Sequence, residues 1–218
     1  MQEQNLSSHL AAKVSLPVIK RLPRYYRTLK TLQGNQITSV SSRELASLLG
    51  MTASQVRQDF NCFGDVNGRQ GIGYSVDTLL AMLEDLLFRG ERLPAILLGA
   101  GRLGKAVSRF ISTDTNGYKL LAIFDVNPAE VGTTIGDIPI RHLDELEQFC
   151  KEYHPQVAVL CLPRDGAREI SSKLVDYGIK GYWNFSHYDL SVPHPEVVVE
   201  NVHLGDSLMS LGYRMRNE

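Results

Sequence analysis

The chain has 218 residues, and its hydrophobic fraction of 43% and charged fraction of 22% are those of an ordinary soluble globular protein. No apolar run approaches the roughly 20 residues that span a bilayer, no signal peptide is recognisable, and the three cysteines are too widely spaced for a disulfide framework or a zinc site. The net charge of −1 is uneven, because residues 1–75 carry nine Lys/Arg against four Asp/Glu. We therefore expect a cytoplasmic protein without a metal, in which a nucleic-acid partner would bind the basic first third.

The first predicted element is a helix over Leu16–Leu32 with one apolar stripe. Its apolar residues recur at spacings of three and four, the period of a helix with one buried face. They are Leu22, Tyr25, Tyr26, Leu29 and Leu32. Pro17 fits the first turn, where a missing N–H costs little, whereas Pro23 predicts either a kink or a later start of the helix.

A helix–turn–helix pattern follows. Ser41 and Glu44 have the spacing of a capping box at the start of a second helix. Gly50 is a natural left-handed end for that helix. Thr52 caps a third helix, from Ala53 to about Phe60, so the sequence predicts two short helices joined by a tight turn.

The third helix has the features of a recognition helix. Val56, Phe60 and Phe63 fall on one face and should pack inward, whereas the opposite face is polar. In helix-turn-helix proteins the N-terminal half of this helix enters the major groove, where arginine pairs well with guanine and glutamine with adenine. The predicted base contacts are Ser54, Gln55, Arg57 and Gln58.

A turn-rich stretch over residues 64–74 fits a β-hairpin wing. Arg69 at its tip is a candidate contact to the adjacent minor groove. Phosphate contacts position a protein on DNA without reading the sequence, and four further residues are predicted to make them. They are Lys20, Arg21, Arg43 and Tyr74.

The rest of the chain, after a connecting helix over residues 76–89, alternates strands with helices. The strands are predicted over residues 95–98, 119–124, 157–162, 181–184 and 197–199, and the helices over residues 102–112, 143–153, 168–177 and 204–216. This alternation is typical of a parallel sheet with helices on both faces. We predict an α/β protein with a winged-helix DNA-binding domain and linker helix over residues 1–90, a Rossmann-like dinucleotide-binding domain over residues 91–203 and a C-terminal helix over residues 204–218.

A GxGxxG pattern joins the first of these strands to its helix. Gly99 would make the tight turn, Gly101 would let the backbone approach a pyrophosphate held at the helix N-terminus, and Gly104 would permit close helix–strand packing. Asp125 ends the next strand, where a carboxylate would bind the ribose 2′-hydroxyl and repel a 2′-phosphate, so NAD(H) is favoured over NADP(H). The predicted site comprises Gly99, Ala100, Gly101, Arg102, Leu103, Gly104, Asp125, Leu162 and Pro163. The alternatives are a glycine turn that binds nothing and a site for another nucleotide such as coenzyme A.

The sequence does not favour an enzyme. Catalysis beside a nicotinamide needs a substrate domain and a poised acid or base, and about 110 residues suffice only for the sheet. The histidines are scattered, and Cys161 lies in an apolar strand, where a small core residue is expected. We therefore predict no catalytic residues. The alternative is an NAD-dependent oxidoreductase with an N-terminal helical cap.

Seven motifs follow one another along nearly the whole chain. They are Lys20-Arg21-Leu22-Pro23-x-Tyr25-Tyr26-Arg27, Ser54-x-Val56-Arg57-Gln58-Asp59-Phe60, Gly71-x-Gly73-Tyr74, the GxGxxG, Phe124-Asp125-Val126-Asn127-Pro128, Val131-Gly132-Thr133 and Gly178-Ile179-Lys180-Gly181-x-x-Asn184-Phe185. Together they resemble the Rex family of redox-sensing repressors. The resemblance implies a homodimer whose C-terminal helix is exchanged and packs near the partner's nucleotide. It also implies repression of fermentative or respiratory genes from palindromic operator DNA, bound when NAD+ is high and released by NADH.

Two positions depart from the pattern of that family. A tyrosine in the helix after the glycines, which contacts an aspartate on the exchanged helix, is replaced by Phe110, and the aspartate is replaced by His203. The resemblance places Phe110 at the cofactor site and makes Arg21 the arginine that couples the cofactor to DNA binding. Because a phenyl ring cannot form the hydrogen bond, the alternative is a DNA-binding paralogue with an altered or absent redox response.

Overall fold

The chain divides into two compact units, Met1–Gly90 and Glu91–Glu218. A computed structural model describes residues 14–63, 73–88, 92–114 and 117–217. The predicted wing tip with Arg69 lies outside these ranges. Within them, no helix has the length and apolarity needed to cross a membrane, and no group of three or more His, Cys, Asp or Glu side chains is arranged to hold a metal ion.

The first unit combines helices with a two-stranded antiparallel sheet. Its elements are α1 (Leu16–Gly34), β1 (Ser39–Val40), α2 (Ser42–Leu49), α3 (Ala53–Asn61), β2 (Tyr74–Ser75) and α4 (Val76–Phe88). The helix α1 begins at Leu16 and includes Pro23, so the later start is wrong. Its buried stripe, which includes Leu22 and Tyr25 on either side of Pro23, packs into the core of the unit, and this burial holds the helix together across the proline.

Side-chain caps fix the turn between α2 and α3. The Ser41 hydroxyl accepts a hydrogen bond from the Glu44 N–H at 3.1 Å, and the Glu44 carboxylate accepts one from the Ser41 N–H at 2.7 Å. Gly50 adopts a left-handed φ of 65° after α2, and the Thr52 hydroxyl accepts from the Gln55 N–H at 3.2 Å. These contacts satisfy N–H groups that have no partner inside the helices, and they confirm the predicted capping box, left-handed end and N-cap.

A buried carboxylate joins α3 to α1. Asp59, 2% exposed, accepts two hydrogen bonds from the Arg21 guanidinium, both at 2.7 Å, and one from the Tyr25 hydroxyl at 2.8 Å. A buried charge is tolerated only when it is paired and hydrogen-bonded, and these contacts supply both conditions. The Tyr25 ring also lies 4.9 Å from the Phe60 ring. The orientation of α3 therefore depends on α1.

The second unit is built on a seven-stranded sheet. Its strands are β3 (Leu93–Leu98), β4 (Tyr118–Asp125), β5 (Thr134–Ile135), β6 (Ile138–His142), β7 (Val157–Leu160), β8 (Gly181–Asn184) and β9 (Val198–Asn201). They lie in the order β5-β6-β4-β3-β7-β8-β9, and every pair is parallel except β5 with β6. The β5–β6 hairpin was not predicted from the sequence, because β5 has only two residues and β6 contains a proline, which disfavours a strand.

The helices of the second unit are distributed unequally over the sheet. They are α5 (Arg102–Asp114), α6 (Leu146–Tyr153, after a 3-10 turn over Leu143–Glu145) and α7 (Arg164–Asp176). The helices α6 and α7 share a core with one face of the sheet, whereas α5 packs on the other. Because crossovers between parallel strands are right-handed, the direction of each connection along the sheet decides the face on which its helix lies. The connection from β3 to β4 runs in one direction, and those from β6 to β7 and from β7 to β8 run in the other. The predicted start of α7 at residue 168 is four residues late, and the strand β7 ends two residues earlier than predicted.

The last helix, α8 (Leu204–Asn217), contributes no buried residue. Its exposed apolar side chains are Leu204, Leu208, Met209, Leu211, Tyr213 and Met215. They surround much of the helix, which is unusual for a helix with an ordinary solvated face. Among the residues that the structure describes, none covers the apolar side chains of α8.

We expect Asp59→Ala to destabilise the first unit by about 3–5 kcal/mol, because it leaves the Arg21 guanidinium and the buried Tyr25 hydroxyl without their partner. Hydrogen exchange of the full-length protein would show this as lost protection of the α3 amides. The matched control is Asp77→Ala, which removes an exposed acid in the same unit and should change protection little. Unchanged α3 protection in Asp59→Ala would contradict the anchoring role of the carboxylate.

Candidate functional site

The turn between β3 and α5 requires two of its glycines for packing. Gly99 has a φ of +99°, and a Cβ there would lie 2.5 Å from the Cys161 carbonyl oxygen. A Cβ on Gly104 would lie 1.8 Å from the Gly99 carbonyl oxygen. The left-handed backbone and the nearby Cys161 carbonyl explain Gly99, and the close approach of α5 to the turn explains Gly104, so neither glycine requires a ligand.

Gly101 is different, because the packing of the protein does not explain it. A Cβ on Gly101 would meet nothing within 4 Å, and its φ is not in the left-handed range. The Lys105 N–H donates to the Gly101 carbonyl at the start of α5. The backbone N–H groups before Lys105 come too early in the helix to have a carbonyl partner within it. An open backbone at a helix N-terminus is where an anionic group can approach.

The Asp125 carboxylate lies beside this turn, as the sequence predicted. Ala100 N–H donates to one of its oxygens at 2.5 Å, and Asn127 N–H donates to the other at 2.8 Å. Gly99 N–H also donates to the Phe124 carbonyl at 2.8 Å, which joins the glycine turn to the end of β4. Each carboxylate oxygen has a further lone pair, so Asp125 can still accept hydrogen bonds from a diol.

The remaining predicted cofactor residues lie in two places. Leu162 is next to the turn, with a methyl carbon 3.2 Å from the position of a Gly99 Cβ, and Pro163 caps the start of α7. Phe110 is eight residues along α5 from Arg102, about 12 Å at the rise of an α-helix. Its ring is 6.3 Å from the Trp183 ring and 47% of the residue is exposed. Within one subunit the structure therefore does not bring Phe110 to the glycine turn.

On the α5 face, half of the sheet is left open by the described part of the chain and forms an apolar groove of about 560 Å³. Alternate residues of β7, β8 and β9 line it, including Val157, Val159, Trp183 and Val198, and Phe110 closes one side. The winding of the sheet explains the groove, since α6 and α7 both cover the opposite face.

Four predicted base contacts occupy the outer side of α3. Ser54, Arg57 and Gln58 are exposed and Gln55 is half-buried. Arg57 Nη1 donates to the Ser42 hydroxyl at 3.1 Å, which orients the guanidinium across the start of α2. Lys20 and Arg43 are also exposed. The polar face of α3 is therefore available to a partner.

Two predicted phosphate contacts are instead engaged inside the first unit. The Arg21 guanidinium is bound to Asp59, and this hydrogen bond raises the pKa of Arg21. Tyr74 is 9% exposed, and its ring packs edge-on against Phe60 at 5.3 Å. Both groups therefore already have partners inside the first unit, and their predicted contacts with phosphate and the coupling role of Arg21 remain predictions.

Sequence reasoning missed the anchoring role of Asp59 and the surroundings of His203. Helical spacing could have found Asp59, because it places this residue on the inward face of α3 with Val56 and Phe60. The His203 ring, just before α8, stacks on the His187 ring with centroids 5.6 Å apart. No local pattern predicts that stack, since it joins the segments that follow two different strands, β8 and β9.

Comparisons with known proteins agree with this division of the chain. Residues 91–188 match the family model "CoA binding domain", and residues 13–61 match "Putative DNA-binding protein N-terminus". The redox-sensing transcriptional repressor Rex of Clostridium botulinum (strain Eklund 17B / Type B) is 43% identical over 205 residues, which cover 94% of this chain and 97% of the relative. That of Caldanaerobacter subterraneus subsp. tengcongensis is also 43% identical, over 94% of this chain and 91% of the relative.

Solved structures show the same similarity over both units. The crystal structure of RSP in complex with beta-NADH matches with a TM-score of 0.85 and 40% identity, over 94% of this chain and 95% of that one. RSP in complex with beta-NAD+ and operator DNA matches with a TM-score of 0.84 and 42% identity, over 94% and 93%. The N-terminal unit is thus a DNA-binding domain and the second a Rossmann-like domain, and the relatives are repressors and not enzymes. The chain belongs to the Rex family of redox-sensing transcriptional repressors.

Proposed function

We propose that this protein represses transcription by binding palindromic operator DNA through α3 and leaves the DNA when NADH binds its glycine turn. The open backbone at Gly101 carries the proposal, because the fold requires glycine at Gly99 and Gly104 but not there. A pyrophosphate would rest on that backbone and on the first turn of α5. The solved complexes of the similar repressor RSP with NADH and with NAD+ and operator DNA support both ligands.

The position of Asp125 favours NAD(H) as the regulatory ligand. Its carboxylate is held beside Gly99 and Ala100 by two backbone N–H groups. A hydroxyl of the adenosine ribose can donate to such a carboxylate, whereas a 2′-phosphate would be repelled by it. Ala100, Arg102 and Leu103 would supply backbone groups around the pyrophosphate, and Leu162 and Pro163 would border the site.

DNA contact is proposed for the exposed polar face of α3. Arg57, oriented by Ser42, would pair with a guanine, and Ser54, Gln55 and Gln58 would contact neighbouring bases. Lys20 and Arg43 would bind phosphates, and Arg69 would reach the adjacent minor groove. A protein that binds chromosomal DNA must be in the compartment that holds the chromosome, and we therefore propose that this protein is cytoplasmic.

A homodimer that exchanges α8 is proposed for two reasons. The described part of the subunit carries an exposed apolar helix and an open apolar groove, and a second copy could cover each with the other. A palindromic site also requires two recognition helices about 34–36 Å apart. NADH would act by binding better to a dimer arrangement that misplaces these helices, since a ligand shifts an equilibrium only by its differential affinity.

An altered redox response is the second candidate, and one observation favours it. In this chain Phe110 packs near Trp183, and His203 stacks on His187 of the same subunit. The family resemblance assigns a hydrogen bond to these positions, and Phe110 cannot form it because a phenyl ring has no donor or acceptor atom. DNA binding without a response to NADH would identify this candidate.

The first measurement is fluorescence anisotropy of the protein on a labelled palindromic operator, titrated with NADH and separately with NAD+. We expect NADH to release the DNA at concentrations where NAD+ does not. In Gly101→Ala the added methyl group blocks the pyrophosphate, so NADH should lose its effect while thermal stability stays unchanged. Gly34→Ala, at an equally open position, is the control. A Gly101→Ala protein that still responds to NADH would contradict the proposed site.

Arg57→Ala should weaken operator binding by about 1–3 kcal/mol while affecting random DNA much less, because arginine reads a base edge. Arg43→Ala should instead weaken binding to both DNAs about equally, since a phosphate contact carries no sequence information. Competition binding at fixed salt separates the two effects, and neither variant should alter NADH binding. Equal losses on operator and random DNA for Arg57→Ala would refute the assignment to base reading.

The double substitution Leu208→Glu and Leu211→Glu should convert the dimer to monomers and abolish high-affinity operator binding. Both side chains are exposed in the subunit, so its own core should be unaffected. Sedimentation velocity measures the change, with Ser210→Glu on a different side of α8 as the control. A wild-type protein that sediments at its monomer mass of 24.3 kDa would exclude the exchanged dimer.

A further inference from the structure

We propose that the ion pair between Lys105 and Glu130 is a positioning element of the dinucleotide site. It holds the loop that follows Asp125 against the first turn of α5 and thereby fixes the carboxylate before the ligand arrives. The inference rests on the proposed NAD(H) binding and assigns a role to two residues that do not themselves have to touch the ligand.

The pair joins the two elements that frame the site. Lys105 Nζ lies 2.7 Å from Glu130 Oε1, and the side chains are only 36% and 25% exposed. Lys105 directly follows Gly104 in the first turns of α5, and Glu130 lies in the loop of residues 126–133 between β4 and β5. Partial burial limits screening by solvent, so this pair is stronger than a fully exposed one.

A series of backbone hydrogen bonds connects Glu130 to the Asp125 carboxylate. The Asn127 carbonyl accepts from the N–H groups of Glu130 at 2.9 Å and Val131 at 3.1 Å. Asn127 N–H in turn donates to one Asp125 oxygen, and Ala100 N–H donates to the other. The contacts form a closed circuit from the glycine turn through Asp125, the loop and the ion pair back to α5.

The opposite end of the loop is anchored to the sheet. Gly132 N–H donates to the Ile140 carbonyl, and Ile140 N–H donates to the Thr133 carbonyl, both at 2.9 Å. The ion pair therefore fixes the part of the loop that lies between Asp125 and this anchor. Without it the loop would have more conformations, and ordering them on binding would cost affinity.

Direct contact of Lys105 with the pyrophosphate is the competing role, and it predicts an effect of opposite sign. In that case Glu130 would neutralise a useful positive charge, and Glu130→Gln would strengthen NADH binding. A positioning role predicts weaker binding in Glu130→Gln. It also predicts no further loss when Lys105→Met is added, because the two residues act as one unit.

The test is calorimetric titration of NADH into the full-length protein and its variants. We expect Glu130→Gln, Lys105→Met and the double variant each to weaken binding by about threefold to fivefold, the range for a partly exposed pair. Lys105→Arg keeps the charge and should retain wild-type affinity. The control is Glu147→Gln, which breaks the exposed pair with Lys151 within α6 and should change nothing. Hydrogen exchange over residues 126–133 should increase only in the variants that break the Lys105–Glu130 pair.

The possible outcomes separate this inference from the function on which it rests. Tighter or unchanged binding in Glu130→Gln, or additive losses in the double variant, would overturn the positioning role while leaving NADH binding intact. A wild-type protein that does not bind NADH would overturn the proposed function itself. Equal, non-additive losses with faster exchange of the loop would establish the role.

Discussion

The direction in which the parallel sheet is wound is the constraint on which the second unit depends. Parallel strands bring their carboxyl ends to one edge, so the glycine turn after β3, Asp125 at the end of β4 and Leu162 after β7 meet there. The same right-handed winding sends α6 and α7 to one face, and on the other face only α5 packs among the described helices. One topological rule thus produces both the candidate ligand site and an apolar surface that the described residues of one subunit leave open.

The first unit depends on a different interaction, the buried carboxylate of Asp59. Its partners Arg21 and Tyr25 lie on α1, so α3 cannot rotate on the core without breaking charge-assisted hydrogen bonds. Burial and the bond to Asp59 both raise the pKa of Tyr25, which therefore remains a hydrogen-bond donor. Replacing such a buried network by apolar side chains often costs little stability. Its contribution here is geometric, because it fixes which face of α3 is presented outward.

The glycines of the turn between β3 and α5 show how the constraints of packing can be separated from those of a ligand. Gly99 and Gly104 are required by carbonyl oxygens of the protein itself, whereas the space at Gly101 is open. A GxGxxG pattern alone cannot distinguish these causes, since all three positions are the same residue. The open position is the one that indicates a ligand, and it directly follows Ala100, whose N–H binds the Asp125 carboxylate.

The sequence by itself determined the local features of this protein. The capping box at Ser41, the left-handed Gly50, the turn between β3 and α5 and the place of Asp125 at a strand end were all predicted, because each depends on neighbours a few residues away or on strand–helix alternation. Tertiary structure alone decided the rest. Tyr74 packs on Phe60, 14 positions away, and Arg21 binds Asp59, 38 positions away. Lys105 pairs with Glu130, 25 positions away. Helical and strand periodicity indicates that a side chain faces inward, but it does not indicate which distant residue that side chain will meet.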